Sequence, residues 1–327
     1  MHSLNRRQTL SALAFAAASA LCPTAFAQNP ALPATIKLVV PLPPGGAVDV
    51  VARKIADAMA KHLGTSVIVD NKAGASGMIA ARAVASAPAD GSVLLYAHSG
   101  MLTAQAMGAK VDMQKDLKPV AKLSFGPHFL VVRSDSPYKT QADLVNALKA
   151  NPGKLNVGSG GNGSPTHLMY EMLEDAIPGV KATHIPFKGA IEANNALIGG
   201  EIDFQFALPG VSLEFIKAGK LRVLSFTGAT RFHLMPNLPT TAEAGAPGYR
   251  AEPWGGLMLP GGASDALTAV FAEAVSVALT APDVTQFIER TGSIKAAKST
   301  PAEFADEIGK ELTQQRAIVK KLGMVNN

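Results

Sequence analysis

Short apolar runs alternate with longer amphipathic segments along this chain. The short runs have the length of strands, and the longer segments carry apolar residues at the spacing of one helix face. Glycine and serine follow several of the strands, at the ends where open parallel sheets bind ligands, so the pattern predicts an α/β fold. The predicted strands are 36–40, 67–70, 92–97, 129–133, 155–158, 184–187, 202–206 and 221–227. The predicted helices are 48–63, 78–86, a short one after residue 100, 140–150, 165–174, 190–198, 212–218, 265–279 and 301–322.

The segment 231–262 interrupts the alternation. It is rich in proline and glycine, and no strand or helix is predicted in it. Only two helices, 265–279 and 301–322, are predicted after it.

The N-terminus has the pattern of an export signal. Arg6 and Arg7 precede a short apolar stretch at 10–21, and Ala-Phe-Ala at 25–27 forms a small-x-small cleavage site. We expect cleavage before Gln28 and a mature protein in the periplasm. The paired arginines leave both Sec and twin-arginine export open.

Composition excludes several classes of site. Cys22 is the only cysteine and lies in the leader, so the mature chain has no disulfide and no thiolate metal site. The formal net charge of +5 is spread along the chain without a basic run, so nucleic acid is not an expected partner. His167 and Glu171 share a helix face, but no third metal ligand accompanies them, and neither a metal nor a cofactor is expected.

Two loops of small residues carry the candidate chemistry. The first runs through Pro43, Pro44, Gly45, Gly46 and Ala47, between a predicted strand and a predicted helix. The second holds Ser159, Gly160, Gly161, Asn162, Gly163 and Ser164 in the same kind of position. Loops that expose backbone N–H groups at a helix N-terminus bind anions without a cationic side chain. The alternative for each loop is an ordinary tight connection.

A set of short motifs, in order along the chain, resembles one family. The residues are Pro-Leu-Pro-Pro-Gly-Gly at 41–46 with Asp49, Val-Asp-Asn-Lys-Ala-Gly-Ala-Ser-Gly at 69–77, Ala-Asp-Gly at 89–91, Gly-Ser-Gly-Gly-Asn-Gly-Ser at 158–164 with His167, His-Ile-Pro-Phe-Lys-Gly at 184–189, Gly-Gly-Glu-Ile-Asp at 199–203, Ala-Gly-Lys-Leu-Arg at 218–222, and Leu-Pro-Thr at 238–240 with Glu-Ala-Gly at 243–245. Together they resemble the periplasmic substrate-binding (Bug) receptors of tripartite tricarboxylate transporters.

The resemblance implies a type II periplasmic-binding-protein fold, in which two α/β domains enclose a ligand cleft. Domain 1 would comprise 28–122 plus 228–327, and domain 2 would comprise 123–227. It further implies a monomeric receptor that binds a small organic carboxylate, closes on it, and delivers it to membrane permease subunits. The two glycine-containing loops would hold the ligand carboxylate, partly through backbone amides and water.

Several further residues are ligand candidates within this resemblance. Ser76, Gly77 and Ser99 lie at loops that face the implied cleft. Asp49 is expected to support the first loop rather than contact an anion, and His167 to orient the second. Phe187 ends a predicted strand and Lys188 follows it, and Lys188 either faces the anion or is solvated. Wall candidates are His128, Phe129, Phe206 and Trp254, for which core packing is the alternative.

Three positions depart from the family pattern. Leu42 replaces an aromatic residue, Ala47 stands where a small hydroxyl or glycine is common, and Ala207 stands where aspartate is frequent. A missing carboxylate at Ala207 would leave a ligand ammonium unpaired, which is costly in a buried site. We therefore expect plain carboxylic acids, dicarboxylic or aromatic, to bind more tightly than aspartate or glutamate by at least about tenfold.

The alternatives to a transport receptor are a sensing subunit and a hydrolase. The same cleft would serve a sensing subunit that reports to a signalling partner. A hydrolase would need a nucleophile elbow, but Val-Gly-Ser-Gly-Gly at 157–161 lacks the first glycine of G-x-S-x-G. No catalytic residue is therefore assigned, and the protein is not expected to be an enzyme.

Overall fold

The computed structural model describes residues 31–325, which form two β-sheets covered by helices. The predicted α/β fold is confirmed. The strands are β1 (Thr35–Val40), β2 (Ser66–Asn71), β3 (Val93–His98), β4 (Leu117–Phe125), β5 (Phe129–Arg133), β6 (Asn156–Ser159), β7 (Thr183–Pro186), β8 (Phe204–Ala207), β9 (Leu221–Phe226), β10 (Trp254–Pro260) and β11 (Ile294–Lys295). The helices are α1 (Ala47–Leu63), α2 (Met78–Ala85), α3 (Gly100–Ala106), α4 (Gln141–Ala150), α5 (Pro165–Ala176), α6 (Ala190–Gly199), α7 (Pro209–Lys217), α8 (Asp265–Ala278), α9 (Pro282–Arg290) and α10 (Pro301–Lys321).

The first sheet has the order β11-β4-β10-β3-β1-β2. Strand β1 pairs in parallel with β2 and β3, and β10 is antiparallel to both β3 and β4. Apolar side chains of α1 and α8, such as Ile55 and Phe271, pack in one cluster on one face. Met101 of α3 and Phe304 of α10 belong to a second cluster on this sheet. Burial of both faces explains why its central strands are almost continuously apolar.

The second sheet has the order β7-β6-β8-β5-β9. Strands β6, β7 and β8 are parallel, whereas β5 is antiparallel to β8 and β9. Its two clusters hold Tyr170 and Phe204 in one and Phe129 and Phe226 in the other. Each sheet therefore has its own core, which positions the loops at the strand ends of both sheets toward a shared cleft.

Two segments cross between the sheets, from β4 to β5 and from β9 to β10, and Thr227 joins them. Its backbone N donates to His128 O (2.9 Å), and its Oγ1 accepts from His128 N (2.7 Å). The same hydroxyl donates to Ala251 O (2.7 Å), and Ala251 N donates back to Thr227 O (3.0 Å). The buried Thr227 therefore makes hydrogen bonds to residues of both crossing segments. The division into domains at 122/123 and 227/228 stays a prediction.

Four elements were not predicted from the sequence. They are β4, β10, α9 and β11. Strand β10 lies inside the segment that is rich in proline and glycine, and its glycines are needed for close packing. A Cβ at Gly255 would lie 2.5 Å from the Tyr96 hydroxyl, and one at Gly256 would lie 2.5 Å from Phe304 Cζ. The glycines that weaken the strand pattern thus allow the strand to occupy the middle of its sheet.

The predicted leader lies outside the described residues, so its cleavage stays a prediction. Within residues 31–325 no single helix has the length and apolarity to cross a membrane. Helices α8 and α9 together have that length and composition, but the chain bends by 76° between them.

Candidate functional site

A cavity of about 470 Å³ lies between the two sheets. It is bounded by the N-terminal turns of α1 and α5, the end of β3, and the crossing segments. Among the described residues that line it there is no Lys, Arg, Asp or Glu. The residues that line it include Ala47, Tyr96, His98, Ser99, Ser124, His128, Gly160, Ser164, Thr166, Gly189, Leu208, Trp254, Thr291 and Ser293.

Asp49 fixes the loop that leads into α1. Its carboxylate is 3% exposed and accepts hydrogen bonds from Gly45 N (2.9 Å), Arg53 Nε (3.0 Å) and Asn71 Nδ2 (2.9 Å). Arg53 lowers the pKa of Asp49 to about 2, aided by the Gly45 and Asn71 bonds and opposed by burial. The oxygens are fully used in holding the loop, which supports the role expected for Asp49 and opposes a direct contact with an anion.

The first turn of α1 keeps free backbone donors. Gly46 is the N-cap, and no side chain caps the turn. Among the described residues, no partner accepts from the N–H groups of Ala47 and Val48, and both residues line the cavity. Together with the helix dipole, these donors make this end of the cavity favourable for negative charge.

The second loop differs, because most of its amides are already bonded. Gly160 N donates to Thr166 Oγ1 (2.9 Å), Gly161 N to Ser159 Oγ (3.1 Å) and Gly163 N to His167 Nδ1 (3.1 Å). Ser164 N donates to Gly161 O (3.1 Å), and the Ser164 hydroxyl caps α5 through His167 N (3.3 Å). The loop therefore offers hydroxyls and the end of a helix to the cavity rather than a row of free glycine amides.

Two stacked histidines support the second loop from behind. The rings of His167 and His184 lie 3.8 Å apart at 4°, and His184 Nε2 is 2.6 Å from Ser159 Oγ. Burial lowers the pKa of His184 to about 4, and the neighbouring His167 adds to the shift. The pKa of His167 is also lowered by burial. Both rings are therefore neutral at pH 7 and can serve as hydrogen-bond acceptors.

An ion-pair cluster joins α5 to the C-terminal end of α10. Lys321 Nζ lies 3.3 Å from Glu171 Oε2, 3.8 Å from Glu174 Oε2 and 2.7 Å from Asp175 Oδ1. Glu171 in turn lies 3.7 Å from His167 Nε2. The cluster links the helix that follows the second loop to a helix of the first sheet.

The inner wall of the cavity carries two histidines. His98 ends β3, and His128 lies in the first crossing segment. Burial lowers the pKa of each to about 4, although the backbone bond to Gly126 partly opposes the shift in His128. His128 Nδ1 lies 2.8 Å from Gly126 O. A carbonyl oxygen only accepts, so Nδ1 carries the proton, and the neutral ring leaves Nε2 as an acceptor.

A second cavity of about 360 Å³ shares Ser99, Pro165 and Trp254 with the first. Trp254 Nε1 donates to Glu311 Oε2 (2.5 Å) in its wall. Burial raises the pKa of Glu311 to about 7, against the opposing effect of the bonds from Trp254 and Gln315. Trp254 therefore separates a cavity without formal charges from one lined by charged side chains.

The structure places four of the predicted ligand residues on the first cavity: Ala47, Ser99, Gly160 and Ser164. His128 and Trp254 also line it, whereas Phe129 and Phe206 lie in the cores of the second sheet. The other predicted residues do not line this cavity: Pro43, Pro44, Gly45, Gly46, Asp49, Ser76, Gly77, Ser159, Gly161, Asn162, Gly163, His167, Phe187, Lys188 and Ala207. Direct ligand contact by any of these residues stays a prediction.

Some of these residues have other surroundings. Ala207 is 2% exposed and packs with Phe129 and Phe226, while its neighbour Leu208 faces the cavity. Lys188 is exposed, and its backbone N donates to Glu192 Oε2 (2.8 Å). An aspartate at position 207 would be buried among apolar side chains, so an Ala207→Asp variant would lose stability whatever its effect on ligand preference.

The sequence alone missed His98, Thr166, Gly189, Leu208, Thr291 and Ser293. His98 could have been found, since it ends a predicted strand directly before the candidate Ser99. Thr291 and Ser293 could not, because α9 and β11 were not predicted. Their approach to the cavity depends on the antiparallel pairing of β11 with β4.

Comparison with known proteins identifies relatives along nearly the whole chain. A UPF0065 protein from the tcbD-tcbE intergenic region of Pseudomonas sp. strain P51 is 33% identical over 97% of this chain and 94% of its own length. Protein BugT of Bordetella pertussis is 30% identical over 94% of each chain.

Solved structures share the fold. A TctC solute-binding protein from Polaromonas, without ligand, has a TM-score of 0.81 at 30% identity and covers 88% of this chain and 98% of its own. MatC from Rhodopseudomonas palustris, with bound malate, has a TM-score of 0.69 at 30% identity (87% and 98% coverage). A protein from R. palustris with adipate has a TM-score of 0.72 at 29% identity (89% and 98% coverage). These neighbours confirm the two-domain periplasmic-binding architecture.

The resemblance carried by the motifs is also confirmed at the level of the family. Residues 51–324 match the family described as "Tripartite tricarboxylate transporter family receptor". Receptors of this family bind small carboxylates in the periplasm and work with the membrane components of a tripartite transporter. The chain belongs to the tripartite tricarboxylate transporter receptor family.

Proposed function

We propose that this protein is a periplasmic receptor that captures a small organic carboxylate in the cavity between its sheets and delivers it to tripartite-transporter permease subunits. The observation that carries the proposal is the cavity itself. It has no charged side chain in its described lining, yet it lies against the N-terminal turns of α1 and α5.

The two helix ends supply the electrostatic attraction that the lining side chains lack. Ala47 and Val48 offer free N–H groups from one side, and the α5 end with Ser164 and Thr166 lies on the other. Hydrogen bonds from backbone N–H groups to a carboxylate are charge-assisted and stronger than neutral ones. An anion held this way needs no arginine or lysine.

Closure of the cleft is part of the proposal. The predicted domains 28–122 plus 228–327 and 123–227 would move about the crossings at Thr227. Small-angle scattering should then give a smaller radius of gyration at saturating ligand. An unchanged profile with proven binding would contradict closure but not capture.

Hydrolysis is not supported by the Ser159–His184 pair. Ser159 is 1% exposed and accepts from Gly161 N, so its oxygen lies under the loop rather than in the cavity. Neither Ser159 nor His184 lines that cavity. The pair therefore stabilises the loop, and the protein is proposed to have no enzymatic activity.

The central experiment is titration calorimetry of the mature protein with succinate, malate, adipate, citrate, benzoate and phenylacetate. At least one acid should bind and raise the unfolding temperature, because a ligand of the folded state stabilises it by mass action. The matched control is the diamide of the same acid, which keeps the shape and loses the charge and should bind far more weakly. Absence of binding by every acid, or equal binding of acid and diamide, would contradict the proposal.

A second titration tests the preference against amino acids. The described cavity lining has no carboxylate to pair with an ammonium group. We expect succinate over aspartate, or glutarate over glutamate, by roughly tenfold or more. A preference for the amino acid would show that a group outside this lining pairs with the ammonium.

A further inference from the structure

We infer that His128 selects carboxylates that carry a hydroxyl group, by accepting a hydrogen bond from that hydroxyl at Nε2. The inference rests on the proposed function and narrows its ligand class. His128 is 4% exposed, lines the cavity, and belongs to the crossing segment rather than to either of the two glycine-containing loops.

The tautomer of His128 is set by its neighbours. Gly126 O accepts from Nδ1 at 2.8 Å, and the His128 backbone is bonded on both sides to Thr227. The ring therefore cannot turn to present Nδ1 to the cavity without breaking a buried bond. Nε2 is left without a proton, and it can only accept.

No protein group in the described residues donates to Nε2. Within residues 31–325, the hydrogen bond to Gly126 O is the only one that the imidazole ring of His128 makes. Across residues 31–325, the fully buried side-chain atoms that lack a hydrogen-bond partner are Gln141 Oε1 and Ser299 Oγ. His128 Nε2 is not among these fully buried atoms, and His128 lines the cavity. It is an acceptor that a bound molecule can satisfy.

The chemistry of that molecule follows from the charge at each part of the cavity. A carboxylate is favoured at the helix ends. It is disfavoured beside the lone pair on Nε2, because both groups are hydrogen-bond acceptors and neither can donate. A hydroxyl at this place donates to Nε2, whereas a methyl group would leave the nitrogen buried without a partner. Loss of a buried hydrogen bond of this kind lowers affinity by about tenfold, or about 1.4 kcal/mol.

The experiment compares ligands that differ only in that group. On the four-carbon scaffold the set is malate, methylsuccinate and succinate. If adipate or phenylacetate is the acid that binds, the sets are 2-hydroxyadipate, 2-methyladipate and adipate, or mandelate, 2-phenylpropionate and phenylacetate. The wild-type protein should bind the hydroxy acid about tenfold more tightly than the methyl analogue.

Two variants connect this preference to His128. His128→Phe keeps a ring and removes the acceptor, so the ratio of methyl to hydroxy dissociation constants should fall to about one. His128→Gln restores an oxygen acceptor and should recover part of the ratio. A residue needed only for packing would change the affinities without changing the ratio.

A spectroscopic measurement covers the case in which the variants do not fold. In the wild-type protein labelled with ¹⁵N-histidine, the Nε2 resonance of one unprotonated ring should shift upfield with the hydroxy acid and move much less with its methyl analogue. Equal affinities and equal shifts for the two ligands would overturn the inference. Failure of every acid to bind would instead overturn the proposed function, so the two failures are distinguishable.

Discussion

The two loops at the cavity look alike in sequence and are built in opposite ways. The loop before α1 is tied by one side chain, Asp49, and leaves the amides of Ala47 and Val48 free. In the loop before α5, Gly160, Gly161 and Gly163 use their amides on side chains of the loop and of α5. The first loop leads to free backbone N–H donors, whereas the second loop presents mainly the hydroxyl groups of Ser164 and Thr166 to the cavity. Similar glycine content therefore does not mean a similar way of binding an anion.

The largest expected effect comes from removing the single support of the first loop. Asp49→Ala should lower the free energy of unfolding by about 3 kcal/mol, because Arg53, Asn71 and Gly45 lose their acceptor together. Carboxylate affinity should fall by roughly tenfold or more as the free amides lose their fixed positions. Urea unfolding and calorimetry measure both effects.

Asp57→Ala is the matched control for that change. Asp57 is an exposed aspartate on the same helix, and its loss should change stability by less than about 0.5 kcal/mol. Wild-type affinity in Asp49→Ala would show that the first loop does not hold the anion.

The two loops should lose their stabilising interactions at different pH values. The pKa of His184 is about 4 in the folded state against 6.5 for a free histidine, so its neutral form stabilises the fold fully above pH 6.5. That contribution is lost as the pH falls from about 6.5 through 4. Asp49 has a folded pKa of about 2 against 3.8, so its contribution is complete above pH 3.8 and is lost only toward pH 2. The second loop should therefore weaken first.

Unfolding free energies at pH 7, 5 and 4 test this order. Glu311 acts in the opposite direction, because its raised pKa of about 7 makes it favour the fold as the pH falls. The comparison is therefore made between wild type and His184→Gln, in which the Glu311 contribution cancels. The difference between the two proteins should change by about 2 kcal/mol or more between pH 7 and 4. A difference independent of pH would contradict the burial of a neutral His184.

Removing one helix cap at a time sharpens the comparison further. Ser164→Ala deletes the cap of α5 at the cavity, and Thr140→Ala deletes the cap of α4. Each should cost about 1 kcal/mol of stability. Only Ser164→Ala should also weaken carboxylate binding, by several-fold, since Thr140 is not in the cavity lining. Equal binding by both variants would mean that the α5 end does not contact the ligand.

The smallest expected effect is that of one methyl group in the second loop. A Cβ at Gly160 would meet Gly189 Cα, Ser164 Oγ and Thr166 Oγ1 at 3.8 Å, which is ordinary contact. Gly160→Ala should therefore fold with a change below about 1 kcal/mol and bind a few-fold more weakly, because the methyl narrows the cavity. Gly199→Ala, at the end of α6, is the control. Gly161 is less suitable, because its φ of +119° strains any substituted residue.

The sequence predicted most of the parallel strands because their apolar runs are bounded by glycine and serine. The parallel strands β6 and β7 were predicted within one residue at each end, and the antiparallel β5, which has the same kind of apolar run, was predicted at its observed bounds. The antiparallel β10 was missed, because its glycines serve contacts with Tyr96 and Phe304 that no local pattern records. The site shows the same limit. Loop positions follow from strand ends, but whether an amide is free depends on side chains such as Thr166 and His167.

His128 illustrates the remaining gap. Its sequence context, directly before an apolar strand, is equally compatible with a residue of the cavity wall and with a residue of the core. Only the crossing of the chain at Thr227 turns it into a cavity residue with a defined acceptor. Tertiary pairing, rather than composition, decides the chemistry that such a residue offers.

A cavity that attracts charge through its main chain has an evolutionary consequence. Because the backbone amides at α1 are positioned by Asp49 and not by the side chains of the cavity wall, a mutation in the wall would alter which carboxylate fits without abolishing the attraction for carboxylates as a class. A duplicated gene can then diverge one wall position at a time while each intermediate still binds some acid. Selection would act on residues such as His128, Thr166 and Leu208, and the scaffold would pass unchanged from one nutrient to another.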